Sequence, residues 1–259
     1  MGMLINPYRL ATGSSFSPAS LSNLEIWLDA SDTSTLYNAA TGGSLSANGA
    51  LVRRIEDKSG NGRHFSQAGT PDTVIGVRVS AGLNGRSTVE TQTGQTSSVG
   101  YNNSNTITLA QQTVIMVFAT RSSDTTLRHY FSQGTSFDTE LSGGVFPLYG
   151  TNGAADGFTV RANGGDRALL SFNVDEWKRR SVVIGASEIV HRWGSSSATY
   201  TFSQASRSYT RFGLLGATST GRSQPYRFAE LLMYSRALTS TELSDIDTYI
   251  TNKWGSGLV

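Results

Sequence analysis

The length of the apolar runs is what most constrains this chain. Leu24 to Leu28, Val74 to Val79, Thr113 to Phe118, His129 to Phe131, Gly157 to Arg161, Ala168 to Phe172, Arg180 to Ile184, Ile189 to Trp193, Ala198 to Phe202 and Arg211 to Leu215 are all short. They are rich in Val, Ile, Phe, Tyr or Thr, the residues that fit a pleated, half-buried surface. Between them stand Ser142-Gly143-Gly144, Asn152-Gly153, Ala162-Asn163-Gly164-Gly165 and Gly194-Ser195-Ser196-Ser197, which is turn chemistry. About ten such stretches at near-regular spacing predict an all-β protein, a two-sheet antiparallel sandwich and not alternating β-α units.

One segment departs from this pattern. Thr239 and Glu242 form a capping box, and Leu243, Ile246, Tyr249, Ile250 and Trp254 follow at helical spacing up to Gly255. This predicts one short C-terminal helix lying on the sandwich. Residues 1–20 have little periodicity and read as an extended N-terminal arm, suited to docking on a neighbour. Residues 21–259 form the single folded domain.

Composition removes several classes. The 259 residues include no Cys, so disulfide scaffolds, thiolate zinc sites and cysteine nucleophiles are excluded. A net charge of +2 gives no electrostatic footprint for nucleic acid. The densest basic run, Lys178-Arg179-Arg180, reads as the solvated start of a strand. No apolar run approaches the ~20 residues of a membrane span or forms a signal-peptide core, which predicts synthesis in the cytoplasm.

Catalytic patterns are sparse. His64, His129 and His191 show no metal-ligand spacing, and no nucleophile elbow or phosphate loop occurs. No glutamate has an acidic partner on the same face of its own strand, though carboxylates from separate strands could still meet. Asp29-Ala30-Ser31-Asp32 reads as a turn or an oxygen cluster. The stretch Asp57-Lys58-Ser59-Gly60-Asn61-Gly62-Arg63-His64 admits two readings: a turn held by the Asp57 side chain, or a hard-cation site with Asp57 and Asn61 as oxygen ligands. Tyr101-Asn102-Asn103 and Tyr149-Gly150-Thr151-Asn152 are candidate sugar-binding loops, with Tyr101, Asn102, Tyr149 and Asn152 as contacts.

Leu24-Glu25-Ile26-Trp27-Leu28-Asp29-Ala30-Ser31-Asp32, then Asp57 to Phe65, resemble the opening of the concanavalin A-like, laminin-G-like jelly roll. Arg227 to Thr239, with Tyr234-Ser235-Arg236-Ala237-Leu238, is similar to that family's last strand and the helix after it. The resemblance spans about residues 21–255 and implies a jelly-roll sandwich. The family includes lectins, glycosidases and spacer modules, so it implies no single ligand. Its glycosidase branch carries an E-x-D-x-x-E-like strand that is missing here. Some members hold calcium at the rim, with Asp57 and Asn61 the matching positions. Separately, Met3-Leu4-Ile5-Asn6-Pro7-Tyr8-Arg9-Leu10 resembles the starts of tailed-phage virion proteins.

These features lead to an expectation of a non-enzymatic phage structural protein on the virion surface. It would need no cofactor beyond a structural calcium, and the arm would join it to other virion proteins or to further copies of itself. The rival readings are an adhesin gripping host glycans and a glycoside hydrolase. Nucleic acid and membrane insertion are not expected.

Overall fold

The computed structural model describes residues 16–67, 76–91, 101–121, 128–134, 145–150, 157–162, 165–171, 175–194, 196–201, 206–215 and 225–258. For 128–129, 145–150, 157–162 and 165–171 it describes the backbone alone. In chain order the strands are β1 (Leu24–Asp29), β2 (Leu36–Tyr37), β3 (Arg54–Ile55), β4 (Phe65–Ser66), β5 (Val77–Val79), β6 (Thr88–Glu90), β7 (Tyr101–Asn103), β8 (Ile107–Leu109) and β9 (Gln112–Thr120). They continue with β10 (Arg128–Gly134), β11 (Val145–Gly150), β12 (Gly157–Ala162), β13 (Gly165–Ser171), β14 (Lys178–Ile184), β15 (Glu188–Trp193), β16 (Ser196–Thr201), β17 (Arg207–Tyr209), β18 (Arg211–Leu214) and β19 (Tyr226–Tyr234). One α-helix, α1 (Ser240–Trp254), follows. It is too short and too polar to cross a membrane, and no other helix among the described residues is long and apolar enough to do so.

The strands build two large antiparallel sheets. One runs β16-β15-β14-β9-β19-β6-β5, with β1 also paired to β19; the other runs β13-β12-β11-β10-β18-β7-β4-β3-β2. The expected all-β sandwich with one C-terminal helix is what the chain forms.

The apolar patterning explains the layers. Along β9, Val114, Met116 and Phe118 face the second sheet and, with Ile26, Leu28, Val182 and Leu231 of their own sheet, pack against its Phe131 and Phe212. Ile115 and Val117 face the other way and pack with Leu232, Leu243, Ile246, Ile250 and Trp254. A strand covered on both faces reads as a continuous apolar run, which is how Thr113 to Phe118 reads.

The helix begins as its sequence predicts. The Thr239 hydroxyl accepts from the Glu242 amide and the Glu242 carboxylate accepts from the Thr239 amide. Glu242 also meets Arg236 through two oxygens at 2.7 and 2.8 Å. Gly255, at φ +103° and ψ +156°, takes a positive-φ conformation that favours glycine and turns the chain out of the helix.

Of the expected arm, residues 1–15 lie outside the described residues. Residues 16–20 dock on the sandwich: Pro18 is buried, its carbonyl accepts from the Tyr234 hydroxyl, and Phe16 meets Tyr249 edge-on at 6.3 Å.

Candidate functional site: a cleft at the helix C-terminus

The site begins with the turn after β3. Asp57 Oδ1 accepts the amides of Trp27 and Ser59, both at 2.9 Å, and Oδ2 accepts the Ser59 hydroxyl at 2.7 Å and the Arg63 amide at 3.0 Å. Asn61 donates its Nδ2 to the carbonyls of Leu24 and Glu25. Gly60 and Gly62 take φ of +89° and +67°, which the tight reversal requires. The turn is thereby stitched to β1, with Trp27 and Lys58 on the outer face of the sandwich.

Across the β1–β19 ladder, Asp29 stands opposite Glu230. Glu230 is 1% exposed, and donors enclose it. Its Oε1 accepts from Trp27 Nε1 (2.8 Å), the Tyr249 hydroxyl (2.7 Å) and Lys253 Nζ (3.0 Å), and its Oε2 accepts from Trp254 Nε1 (2.5 Å). Lys253 Nζ also reaches Asp29 Oδ1 at 2.8 Å, so one ammonium holds both carboxylates. Lys58 bridges Asp29 and Asp32 at 2.9 and 2.8 Å and lies 4.6 Å over the Trp27 ring.

Environment separates the two acids. Burial would raise the Asp29 carboxyl, but Lys253 and Lys58 outweigh it and hold the group below the usual range. Burial pushes the Glu230 carboxyl up, and the neighbouring Asp29 charge adds to this against the pull of Lys253. Burial pushes the Tyr249 hydroxyl up as well. Tyr249 therefore stays a donor to Glu230.

Above this cluster lies a cleft of ≈ 520 Å³, lined by Phe16, Trp27, Lys58, Arg86, Tyr249 and Asn252, with Asp29 and Lys253 at its base. Arg86 Nε donates to the Lys253 carbonyl at 2.7 Å, which fixes that wall to the end of the helix. The cleft combines aromatic surface with charged groups held by ion pairs. Such a site can orient a polyhydroxylated ligand without reorganising.

The site residues expected from sequence fall elsewhere. Tyr101 is 1% exposed and its hydroxyl donates to the Val52 carbonyl at 2.7 Å, so its ring has no face open to a sugar. Asn102 is 7% exposed, and neither end of its carboxamide has a hydrogen-bond partner. Tyr149 sits in β11 opposite His129 and is described in backbone only; Asn152 lies outside the described residues. Asp57 and Asn61 do come together, but not as a calcium site. Asp57 is the one local carboxylate and N–H and O–H donors already claim both its oxygens, while Asn61 turns an amide nitrogen to the backbone. The residues do not fit that ion. No group of three or more His, Asp or Glu side chains among the described residues is placed to hold a metal.

The Lys178-Arg179-Arg180 run is also corrected: Arg179 and Arg180 are 0% and 1% exposed, not solvated. Arg179 pairs with Asp247 of the helix. Sequence reasoning missed Glu230, Lys253 and Tyr249 as a group. Their one legible signal was an acid in the middle of an apolar strand.

No family model and no curated protein sequence matches the chain. Solved structures do resemble it. Domain 4 of AbnA, a GH43 extracellular arabinanase from Geobacillus stearothermophilus, in complex with arabinotriose, matches with a TM-score of 0.56 at 13% identity, over 86% of this chain and 98% of that one. A GH54 α-L-arabinofuranosidase matches with a TM-score of 0.58 at 16% identity, over 89% of this chain and 62% of that one. Trypanosoma rangeli sialidase in complex with sialic acid matches with a TM-score of 0.55 at 10% identity; 90% of this chain is covered but only 33% of the sialidase. At these identities the likeness is one of fold.

These likenesses overturn two expectations. They fall on sialidase, arabinofuranosidase and arabinanase structures and none on a virion protein, which overturns the reading as a virion structural protein. The reading as a non-enzyme falls too, because glycosidases contain this fold.

Proposed function

We propose that this domain is a carbohydrate-binding sandwich that takes an oligosaccharide in the cleft at the helix C-terminus. The observation that carries this reading is the cleft itself, ≈ 520 Å³ with aromatic walls and fixed polar groups at its base. Ligand pockets commonly run from about 300 to 1,000 Å³ and have this make-up. The arabinotriose complex of domain 4 of AbnA, almost all of which this chain covers, supports a short pentose oligomer as the first ligand to try.

Thr248 and Asn252 are exposed on the helix and line the cleft, so they can be truncated without touching the buried ion pairs. Calorimetric titration of the full chain should show arabinotriose binding that the Thr248→Ala/Asn252→Ala double variant weakens at least tenfold, with melting temperature unchanged. Binding that ignores the double variant would move the site elsewhere. No binding to neutral or acidic oligosaccharides would end the reading.

A second reading, glycoside hydrolysis at the same cleft, rests on the Asp29–Glu230 pair. Two carboxyls whose proton affinities are driven apart follow the pattern of acid and base partners. Asp29 lines the cleft and Glu230 does not, so Asp29 would be the group that meets substrate. Release of reducing ends from arabinan, abolished by Asp29→Asn with binding retained, would establish it.

A further inference from the structure

The two large sheets have five terminal strands, and four of these are protected, β1 by the turn after β3, whose Lys58 amide donates to the Trp27 carbonyl at 2.8 Å. At β5, the Gly49 amide donates to the Arg78 carbonyl at 2.8 Å and the Arg78 amide to the Ala50 carbonyl at 3.0 Å, so the 49–51 segment covers that edge. At β2, the Asn38 amide donates to the Ser44 carbonyl and the Ser46 amide to the Leu36 carbonyl, which covers another. β13 carries the charged residues Asp166 and Arg167. Covering segments and charges are how proteins keep sheet edges from pairing.

β16 has neither. Its sequence, Ser-Ser-Ala-Thr-Tyr-Thr, holds no charge and no proline, and its six-residue ladder with β15 runs without a bulge. Ser196, Ser197, Thr199 and Thr201 are exposed. Among the described residues, no backbone group bonds to its outer edge.

We infer that the outer edge of β16 is an interface at which two copies of this chain pair antiparallel, joining their helix-bearing sheets into one. A second copy fits better than a charged peptide because the strand is complementary to itself. Residues opposite one another in an antiparallel pair share a face. Ala198 and Tyr200 stand beside His191 and Ile189 on the core side, whereas Ser197, Thr199 and Thr201 stand on the helix side. A twofold axis perpendicular to the sheet through Thr199 keeps every residue on its own face. It sets Thr199 against Thr199, Ala198 against Tyr200 and Ser197 against Thr201. Hydroxyl and β-branched pairs of this kind favour the ladder, and no like charges oppose each other.

The same axis leaves both helices on one side of the joined sheet. If the proposed cleft binds saccharide, as argued above, the dimer presents two clefts in one direction, and a polymeric glycan can engage both. The pairing itself does not depend on that reading.

Light scattering and sedimentation of the full chain, from micromolar to near-millimolar, test the inference. The mass should double with concentration. Thr199→Lys, which sets two ammonium groups against each other at an exposed position, should hold the chain monomeric with an unchanged melt. Mixing Thr199→Lys with Thr199→Glu should restore a mixed dimer. If Thr199→Lys does not fold, Ser197→Lys serves in its place. A chain that stays monomeric throughout, a dimer indifferent to the lysine, or charge partners that fail to recombine would each overturn the pairing.

Discussion

Glu230, buried at the helix C-terminus, and several polar groups buried inside the sandwich are equally hidden but are treated in opposite ways. Glu230, on the helix side, meets two indole N–H groups, a phenol and an ammonium. His191, Gln112 and Gln133, between or beside the sheets, have side-chain nitrogens and oxygens with no hydrogen-bond partner. Burial pushes the His191 imidazole down to about 3, with the Arg180 charge adding to the effect, so the ring stays neutral in the core. A satisfied buried network fixes one geometry, whereas an unsatisfied group costs stability wherever it sits. The contrast marks the Glu230 cluster, under the helix, as a place where geometry is fixed.

The largest expected effect tests the helix side. Glu230→Ala leaves both indoles and the Tyr249 hydroxyl without their acceptor and Lys253 with Asp29 alone, and removing one partner of a buried ion pair costs about 3–5 kcal/mol. Urea unfolding reads this directly. A loss below about 1 kcal/mol would rank the cluster with surface pairs and erase the contrast.

His191 gives the next effect, and it depends on pH. Below the ordinary value of 6.5 the unfolded chain takes up a proton that the folded core refuses until about 3. This contribution is therefore complete above that window and is lost on acidification, at up to about 1.4 kcal/mol per pH unit. In His191→Phe the lost slope should disappear, with stability at neutral pH held or improved, because an unpartnered buried polar group is replaced by an apolar one. A slope that survives the substitution would assign the acid response to other groups.

Glu242 gives the smallest effect. Arg236, then the Thr239 amide, hold its carboxyl at about 2, below the ordinary 4.5. Its stabilisation is present above the ordinary value and fades as pH falls through the lower one. Glu242→Gln should cost about 1 kcal/mol at neutral pH, typical of a weakened helix cap. An unchanged thermal midpoint would show the helix held by packing alone.

Local pattern carried much of the fold. Thr113 to Phe118, Arg180 to Ile184 and Ile189 to Trp193 are strands because their apolar spacing allows nothing else, and Thr239 with Glu242 marks the helix start. Arg54–Ile55, Phe65–Ser66 and Thr88–Glu90 were hidden because two or three residues cannot display a period. The candidate site was hidden for a different reason. Asp29, Glu230 and Lys253 are polar residues from three separate elements, and only the β1–β19 register brings them to one point. Arg180 misled in the opposite direction: a basic run suggests solvent, yet strand alternation turns Arg180 inward beside Met116.

The hydrogen bond between Trp27 and Glu230 joins residues 203 positions apart. At synthesis rates of about 5–20 residues per second, β1 leaves the ribosome roughly 10–40 s before the strand that will flank it. Throughout that interval Leu24, Ile26 and Leu28 have no ladder to join. The nascent chain must keep them from other partners, and the sheet that carries the cleft closes only after translation has reached β19. Contacts this distant in sequence also make for slow folding. Yield on expression should therefore respond to chaperone supply and growth temperature more than the finished domain's stability would suggest.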